Sequence, residues 1–472
     1  MITSPYFQAI DSLEKQAAME HKPKITNLTE MSLNAAILKM ALPTTGWMLI
    51  QSFYHLVDAF WVGKLGAIPF AASSAASFLI WMLFSFADIS GIAANTLVSQ
   101  SIGAKRDAEI PLHVHHCVIT AIASSLILAA IFIPSSDALF GLLGLEPAVV
   151  QGAKEYLLPW LLGMPLIFVV ITLIAIFRGT GDAKTPMILM AIAVTLNGIA
   201  DPFFIFGWGP FPALGLKGAA WVSVGSHAVL GVIAFIILAR RKILPSWQGL
   251  PFLLPEFKRI KRILSIGMPI ALNGALFAFV YIGLTWVIAK FGSTAIAAIG
   301  LGHKIEALPW FISYGFSIAA ATLVGQYLGA GRTKDAERAV WRALLVAALM
   351  VGGFVVVTII WAEQIVRFFI DDADVVATSA IYLRIVAACW MVALFDVVLE
   401  GAFSGAGNTL PPLLIGVPLT ISRIPLAYLL AVVVGWGVTG VWWAIGMTSI
   451  IKGLLMLAWF MKGNWKRVRL AA

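Results

Sequence analysis

Long apolar stretches alternate with short polar breaks along almost the whole chain. A helix that crosses a bilayer needs about 20 mostly apolar residues. Twelve stretches meet that length, near 36–63, 67–101, 114–134, 156–177, 186–206, 214–239, 263–291, 295–328, 338–361, 380–404, 411–434 and 437–461. The breaks between them collect Gly, Pro, Lys and Arg. Lipid offers no partner to a free backbone amide or carbonyl, so segments of this length are predicted to be helices. The expected fold is an all-α membrane protein of twelve transmembrane helices.

The pattern is written twice. Pro43 and Pro269, Gly66 and Gly292, Gly103 and Gly329, and Gly179 and Gly405 are each 226 positions apart. Loop text repeats at the same offset: VSQSIGAKRDAE at 98–109 answers VGQYLGAGRTKDAER at 324–338, and FRGTGDAKTPMIL at 177–189 answers FSGAGNTLPPLLI at 403–415. Such a repeat in an apolar chain is the signature of a transporter built from two related bundles around a central site. The chain divides into a tail (1–33), a first six-helix lobe (34–240), a basic linker rich in proline (241–262, with Pro245, Pro251 and Pro255) and a second six-helix lobe (263–472). Six is even, so both lobes start on one side and are related by an axis along the membrane normal.

Composition agrees: 60 % of residues are hydrophobic, 12 % are charged and the mean hydropathy is +0.94. The net charge of +9 is a matter of topology. Lys105 and Arg106, Arg178 and Lys184, the cluster from Arg240 to Arg262, Arg332, Lys334, Arg338 and Arg342, and the tail bases Lys462, Lys466, Arg467 and Arg469 fall on alternate loops. The acidic loop at 362–379, with Glu363, Asp371, Asp372 and Asp374, lies on the other side. The positive-inside rule then puts both termini in the cytoplasm of a multi-pass protein of the inner or plasma membrane. The bases do not converge on one soluble domain, so no nucleic-acid partner is expected. Residues 1–33 carry Asp11, Glu14, Lys15, Glu20, Lys22 and Lys24 without an apolar centre, so no cleavable signal peptide is expected. Cys117 and Cys389 lie in or beside apolar segments, which argues against a disulfide framework.

An ionisable side chain inside a membrane helix is a functional candidate, because it costs several kcal/mol unless paired, hydrated or neutralised. Asp58 lies deep in the first apolar stretch, with Tyr54 and His55 on its face. Asp201 has Asn197 one turn before it, and Pro202 after it removes the amide that the Gly198 carbonyl would otherwise accept. A carboxylate, an amide oxygen and a freed carbonyl suit a shared proton or a small cation such as sodium. The bland alternatives are a helix-end acid and a polar plug in a kinked helix. Ser223 adds a hydroxyl from the next helix. The repeat puts Leu284 opposite Asp58, and aligning Pro425 with Pro202 puts Ile424 opposite Asp201, so this constellation belongs to the first lobe alone.

The second lobe has its own acids, Glu306, Asp396 and Glu400, the last two one turn apart. Asp396 and Glu400 are candidates for contact with a cationic substrate, the alternative being salt bridges to Arg384 or Arg423. Asp88 is a further cleft candidate, and Phe60 and Trp61 are candidate walls of an adaptable apolar pocket. GTGDAK follows a membrane helix rather than a strand, and reads as a tight turn rather than a phosphate loop. HVHH at 113–116 has no carboxylate at ligand spacing and predicts no metal. No HExxH, GxSxG or phosphate-transfer motif occurs, so an enzyme is not expected.

Residues 36–461 resemble the multidrug and toxic compound extrusion (MATE) transporters. The likeness rests on ALP at 41–43, LVDAFWVG at 56–63, the repeated QxxGA, RGTGDAKTP at 178–186, NGIADPFFIFG at 197–207 and GLKGAAW at 215–221. It implies a DinF-like prokaryotic branch in which Asp58 and Asp201 bind the coupling ion, with Asn197, Tyr54 and Ser223 as partners. It also implies bending of the helix at Pro43; Pro202 is the second candidate bend. The implied function is secondary active export of amphipathic or cationic compounds against inward protons or sodium, by a monomer without a cofactor. A lipid or lipid-linked sugar flippase of a related two-lobe fold is the alternative.

Overall fold

The computed structural model describes residues 25–141, 146–245 and 256–467. Residues 1–24 of the expected tail, 246–255 of the expected linker, and 468–472 with Arg469 lie outside the described residues. The first half holds α1 (Leu33–Gly63), α2 (Ala67–Gly103), α3 (Ile110–Gly141), α4 (Pro147–Gly179), α5 (Lys184–Phe206) and α6 (Leu216–Arg240). The second holds α7 (Phe257–Ala289), α8 (Ser293–Gly329), α9 (Thr333–Arg367), α10 (Ala373–Ala406), α11 (Leu410–Tyr428) and α12 (Val438–Met461). All twelve are long and apolar enough to cross a membrane.

Several helices overrun the expected spans; α3, α4, α9 and α10 each continue for several residues into the polar flanks. Hydropathy detects only the part that lipid must cover, whereas backbone hydrogen bonding carries the helix past it. α1 runs through Pro43 and α5 through Pro202 as single helices. Gly66 and Gly292, one repeat apart, have φ of 112° and 89° and start α2 and α8 in a region where a side chain would be strained.

Packing obeys the repeat. In the first half α2 lies on α4, α4 on α6 and α1 on α5; in the second α8 lies on α10, α10 on α12 and α7 on α11. The lobes meet through α1 against α8 and α2 against α7 and α8. Each of α1 and α7 thus docks on the second helix of the other lobe.

The side-chain hydrogen bonds that join the halves cluster at the end bearing the termini, where they are nearly reciprocal. Gln100 Nε2 donates to Gly405 O (2.8 Å), and its repeat partner Gln326 donates to Gly179 O (3.2 Å). Thr96 donates to Ser404 O (2.8 Å), and Thr322, its repeat partner, to Asn95 Oδ1 (3.0 Å). Glycine makes this approach possible: a Cβ on Gly103 would strike Gln326 O, and one on Gly329 would strike Gln100 O. A short segment before α1 seals one side. Leu28 is fully buried, its amide donates to Gln326 Oε1 (2.7 Å), and Thr26 N donates to Thr180 O (3.0 Å).

Asp182 secures the turn between α4 and α5 at the same end. It accepts from Thr185 N (3.0 Å), Thr185 Oγ1 (2.6 Å) and Arg241 Nη1 (2.7 Å). Burial opposes its charge, but the bonds from Thr185 and Arg241 outweigh burial and hold the carboxyl below the usual range. GTGDAK is therefore a capped turn.

Two expectations follow for thermal unfolding in detergent. Gly103→Ala forces a Cβ into the α8 backbone and should cost about 1–3 kcal/mol or more, whereas Gly225→Ala, with nothing within 4 Å of its Cβ, should be neutral or stabilising. Asp182→Asn should lower stability at neutral pH by about 1–3 kcal/mol. A depressed carboxyl stabilises above its unfolded pKa, so that gap should close as pH falls through the folded value.

Candidate functional site

The first polar centre lies inside the first lobe, where α1, α4, α5 and α6 face one another. Asp201, Asn197 and Ser223 are each fully buried. Asn197 Nδ2 donates to Ser223 Oγ at 3.4 Å, and both Asp201 oxygens and Asn197 Oδ1 have no hydrogen-bond partner. Asp58, on α1, is close enough to act electrostatically on Asp201. Its Oδ2 accepts from Tyr156 of α4 at 2.8 Å, while Oδ1 has no partner. Neither carboxylate has an ion-pair partner among the described residues.

The expected bond from Tyr54 to Asp58 is not made. Tyr54 is buried with its hydroxyl unpartnered, its ring edge-on to His227 (5.7 Å) and His55 (5.9 Å). The donor is Tyr156, which the sequence reading missed; its signal was a polar ring in the fourth apolar stretch matched by Tyr382 226 positions on. The Gly198 carbonyl, freed by Pro202, is not left for a cation: it accepts from Trp61 Nε1 at 3.2 Å, which ties α1 to α5. Phe60 is 56 % exposed and packs edge-on to Trp61. The remaining orphaned oxygens, two of Asp201 and one each of Asp58 and Asn197, make a hard, acidic donor set. Burying an ionised carboxylate without a partner costs several kcal/mol, so the set fits a proton or a small cation.

The second polar centre sits where the lobes meet. A cavity of about 60 Å³ is lined by Asp88, Asn95 and Arg178 from the first lobe and by Tyr314, Ser317, Glu400 and Ser404 from the second. The pseudo-twofold passes through it, since Asp88 and Tyr314, Gly91 and Ser317, and Arg178 and Ser404 are all 226 positions apart. Asp88 is thus inside α2 and faces this cavity. Arg178, read from sequence as a loop base, lies in the last turn of α4 with its guanidinium 4.1 Å from the Trp47 ring centroid. Its Nε and Nη2 are buried without partners. A larger open groove of about 370 Å³ between α7 and α11, lined by Met268, Pro269, Leu272 and Leu413, reaches none of the intramembrane acids.

The second-lobe acids are engaged. Asp396 pairs with Lys452 at 3.0 Å, not with Arg384 or Arg423; Arg384 pairs with Glu363 at 3.2 Å. Glu400 accepts from Asn273 at 3.4 Å, and Glu306 accepts from Tyr382. α5 and α11 start 226 positions apart, which places Ala427, not Ile424, opposite Asp201. The proline-based alignment slipped because Pro425 is not the repeat of Pro202. Among the described residues no three His, Cys, Asp or Glu side chains gather as metal ligands. His116 binds its own helix through Leu112 O (2.8 Å) and accepts from Glu256 N (3.2 Å).

Comparisons with known proteins point the same way. The sequence profile described as MatE matches residues 43–203 and 269–429, one match per half. A probable multidrug resistance protein NorM of Thermotoga maritima is 27 % identical, covering 91 % of this chain and 93 % of that protein. An FAD transporter of Shewanella oneidensis is 25 % identical, covering 90 % and 94 %. Among solved structures, a MOP superfamily transporter from Pyrococcus furiosus superposes with a TM-score of 0.86 at 23 % identity, over 94 % of this chain and 99 % of that one.

The hydrogen-bond assignment is open to a direct check. Tyr156→Phe removes a donor to a carboxylate and should cost about 1.5–3 kcal/mol in thermal unfolding. Tyr54→Phe removes an unpartnered hydroxyl and should be neutral or slightly stabilising.

Proposed function

Because the chain belongs to the MATE family of multi-pass membrane transporters, we propose that it is a secondary active multidrug exporter. It exchanges inward-moving protons or sodium for amphipathic or cationic organic compounds by alternating access. The observation that carries this reading is Asp201, fully buried with both oxygens unpartnered beside Asn197 and within electrostatic reach of Asp58. Such a carboxylate has a strong thermodynamic demand for a positive charge, and among the described residues no Lys or Arg side chain meets it. The names of relatives, multidrug resistance and multidrug export proteins among them, support the cargo class. We assign the chain to the DinF-like branch on its acid pair, Asp58 and Asp201.

In this reading the termini-bearing end is cytoplasmic, as the basic loops require, and the Gln100 and Gln326 bonds close that end. Export needs a second state in which these bonds part. A bound ion shifts the balance only if its affinity differs between the two states. The site supplies the difference because α1 carries Asp58 and also packs on α8 of the other lobe. Neutralising the acid pair changes how α1 is held, through Tyr156 and through Trp61, and α1 transmits the change to the interface. Pro43 and Pro202 lower the cost of bending α1 and α5. Asp88 and Glu400, on opposite sides of the inter-lobe cavity, are the acids we assign to cationic cargo; Asp396 is held by Lys452. The division into lobes at 34–240 and 263–472, a monomeric state and an inner-membrane location are part of the same proposal.

A flippase for phosphate-bearing lipids needs several cations around the head group. Among the described residues the inter-lobe cavity offers one, Arg178, beside two carboxylates, which favours cationic cargo.

The test is accumulation of a fluorescent organic cation in proteoliposomes under an imposed pH gradient or an imposed sodium gradient. Flux should follow one gradient and fall at least tenfold in Asp201→Asn. Undiminished gradient-driven flux in that variant would reject the assignment of the ion site.

A further inference from the structure

Residues 25–31, which precede α1, are bonded to both lobes at the termini-bearing end. The segment is a folded clip rather than loose chain. Asn27 Oδ1 accepts from Thr29 N (3.1 Å) and Thr29 Oγ1 (2.7 Å), and Asn27 Nδ2 donates to Glu30 Oε1 (3.1 Å), around a 3-10 turn over Leu28–Glu30. On the side of the first lobe, Thr26 N donates to Thr180 O, and a Cβ on Gly181 would strike Thr26 O. Ile25 packs there against the core cluster that holds Phe177 and Leu189. On the side of the second lobe, Leu28 N donates to Gln326 Oε1, and Arg332 Nη1 donates to Thr29 O (2.8 Å). The Leu28 side chain is fully buried in the cluster that holds Phe316, Leu323 and Tyr327 of α8.

We propose that residues 25–31 are a latch across the termini-bearing mouth, which has to undock before the lobes can part there and so sets how often the transporter opens to that side. Parting carries Thr180 away from Gln326 and Arg332, and the clip cannot follow both. If it stays with the first lobe, it gives up the bonds to Gln326 and Arg332 and bares Leu28. If it stays with the second, it gives up Thr180 and the packing of Ile25. Either way polar groups lose their partners and apolar surface meets water, and both changes oppose opening. The clip runs directly into α1, the helix that carries Asp58, so a bend or rotation of α1 pulls on it. Gln100, the repeat partner of Gln326, has its Oε1 unpartnered. Among the described residues the latch therefore acts on one side of the mouth. Undocking it leaves the bonds from Gln100 to Gly405 O and from Gln326 to Gly179 O in place, so a weakened latch should bias the mouth toward opening without unfolding the bundle.

The inference rests on the reading that this end is cytoplasmic and opens during transport, and the experiment separates the two. Ser404→Cys, on the inter-lobe cavity and 5 % exposed, is placed in full-length protein with Cys117 and Cys389 replaced. Its reaction with a membrane-impermeant maleimide is timed in inside-out vesicles. Labelling should be slow at rest and quicken under the gradient that drives transport. Absence of labelling in protein that transports would overturn the opening of this end, and the latch with it. Leu28→Ala should speed labelling at rest by roughly tenfold or more, since a buried leucine no longer holds the clip down. Leu28→Asp should speed it further. In a second arm, without Ser404→Cys, Thr29→Cys and Arg332→Cys are joined by a short cleavable thiol cross-linker. Transport should stop in the joined protein and return on reduction. A segment that merely adds stability would change neither reading in folded protein. The resting wild-type labelling rate in folded Leu28→Ala, or undiminished transport with the segment cross-linked, overturns the latch while leaving the opening of this end intact; if Leu28→Ala fails to fold, the cross-linked pair decides.

Discussion

The close crossing of α2 and α8 at the termini-bearing end is the constraint on which the rest of the structure depends. Gly103 and Gly329 bring each helix against the other's backbone, and Gln100 and Gln326 then reach across to carbonyls at the ends of α10 and α4. These bonds replace water with a partner from the opposite lobe, so each end is satisfied only while the lobes are together. The consequence is bistability rather than gradual opening: packed interfaces of this kind rearrange between discrete states. Symmetry is broken at one point, since Gln326 Oε1 accepts from Leu28 whereas Gln100 Oε1 has no partner. The segment before α1 thus ties the first helix of the first lobe to the second helix of the other.

Charge breaks the symmetry a second time. Duplicated backbones place the same tyrosine and the same serine in each lobe, yet the first lobe leaves carboxylate oxygens orphaned while in the second Lys452 pairs with Asp396, Tyr382 donates to Glu306 and Asn273 to Glu400. In our account these are two answers to one desolvation problem. An ion drawn from solution makes the first lobe responsive to a gradient, whereas the second holds Asp396 with a cation of its own chain, Lys452. The inter-lobe cavity between them carries Asp88 and Glu400, one acid from each side, with Arg178 beside them.

Much of this was legible in the sequence because lipid imposes a simple rule and duplication imposes another. The twelve helices and the offset of 226 follow from those two regularities, and the first of them marks Asp58 and Asp201 as acids within apolar stretches. What escaped were contacts between helices. Tyr54 is the near neighbour of Asp58 in sequence, but the hydroxyl that reaches it comes from Tyr156, 98 residues away. The carbonyl released by Pro202 was visible, whereas the indole of Trp61 that takes it was not. Arg178 reads as a loop base because it follows an apolar run, and only the packing of α4 places it over Trp47. Asp396 finds Lys452 on α12 rather than an arginine, since pairing depends on helix rotation that periodicity leaves open. Ala427 stands one repeat from Asp201, and aligning prolines instead of helix starts hid that equivalence.

The claim at the centre of this account is that the charge state of the Asp58 and Asp201 pair decides whether the α2–α8 crossing is closed. Spin labels at Lys184→Cys and Lys334→Cys, exposed positions at the termini-bearing ends of the two lobes, report that distance in proteoliposomes once Cys117 and Cys389 are replaced. The account predicts one short distance at rest and a second, longer population under the ion gradient that drives transport, with the response lost in Asp201→Asn. A single unchanged distance during active transport, or a full response in Asp201→Asn, would contradict it.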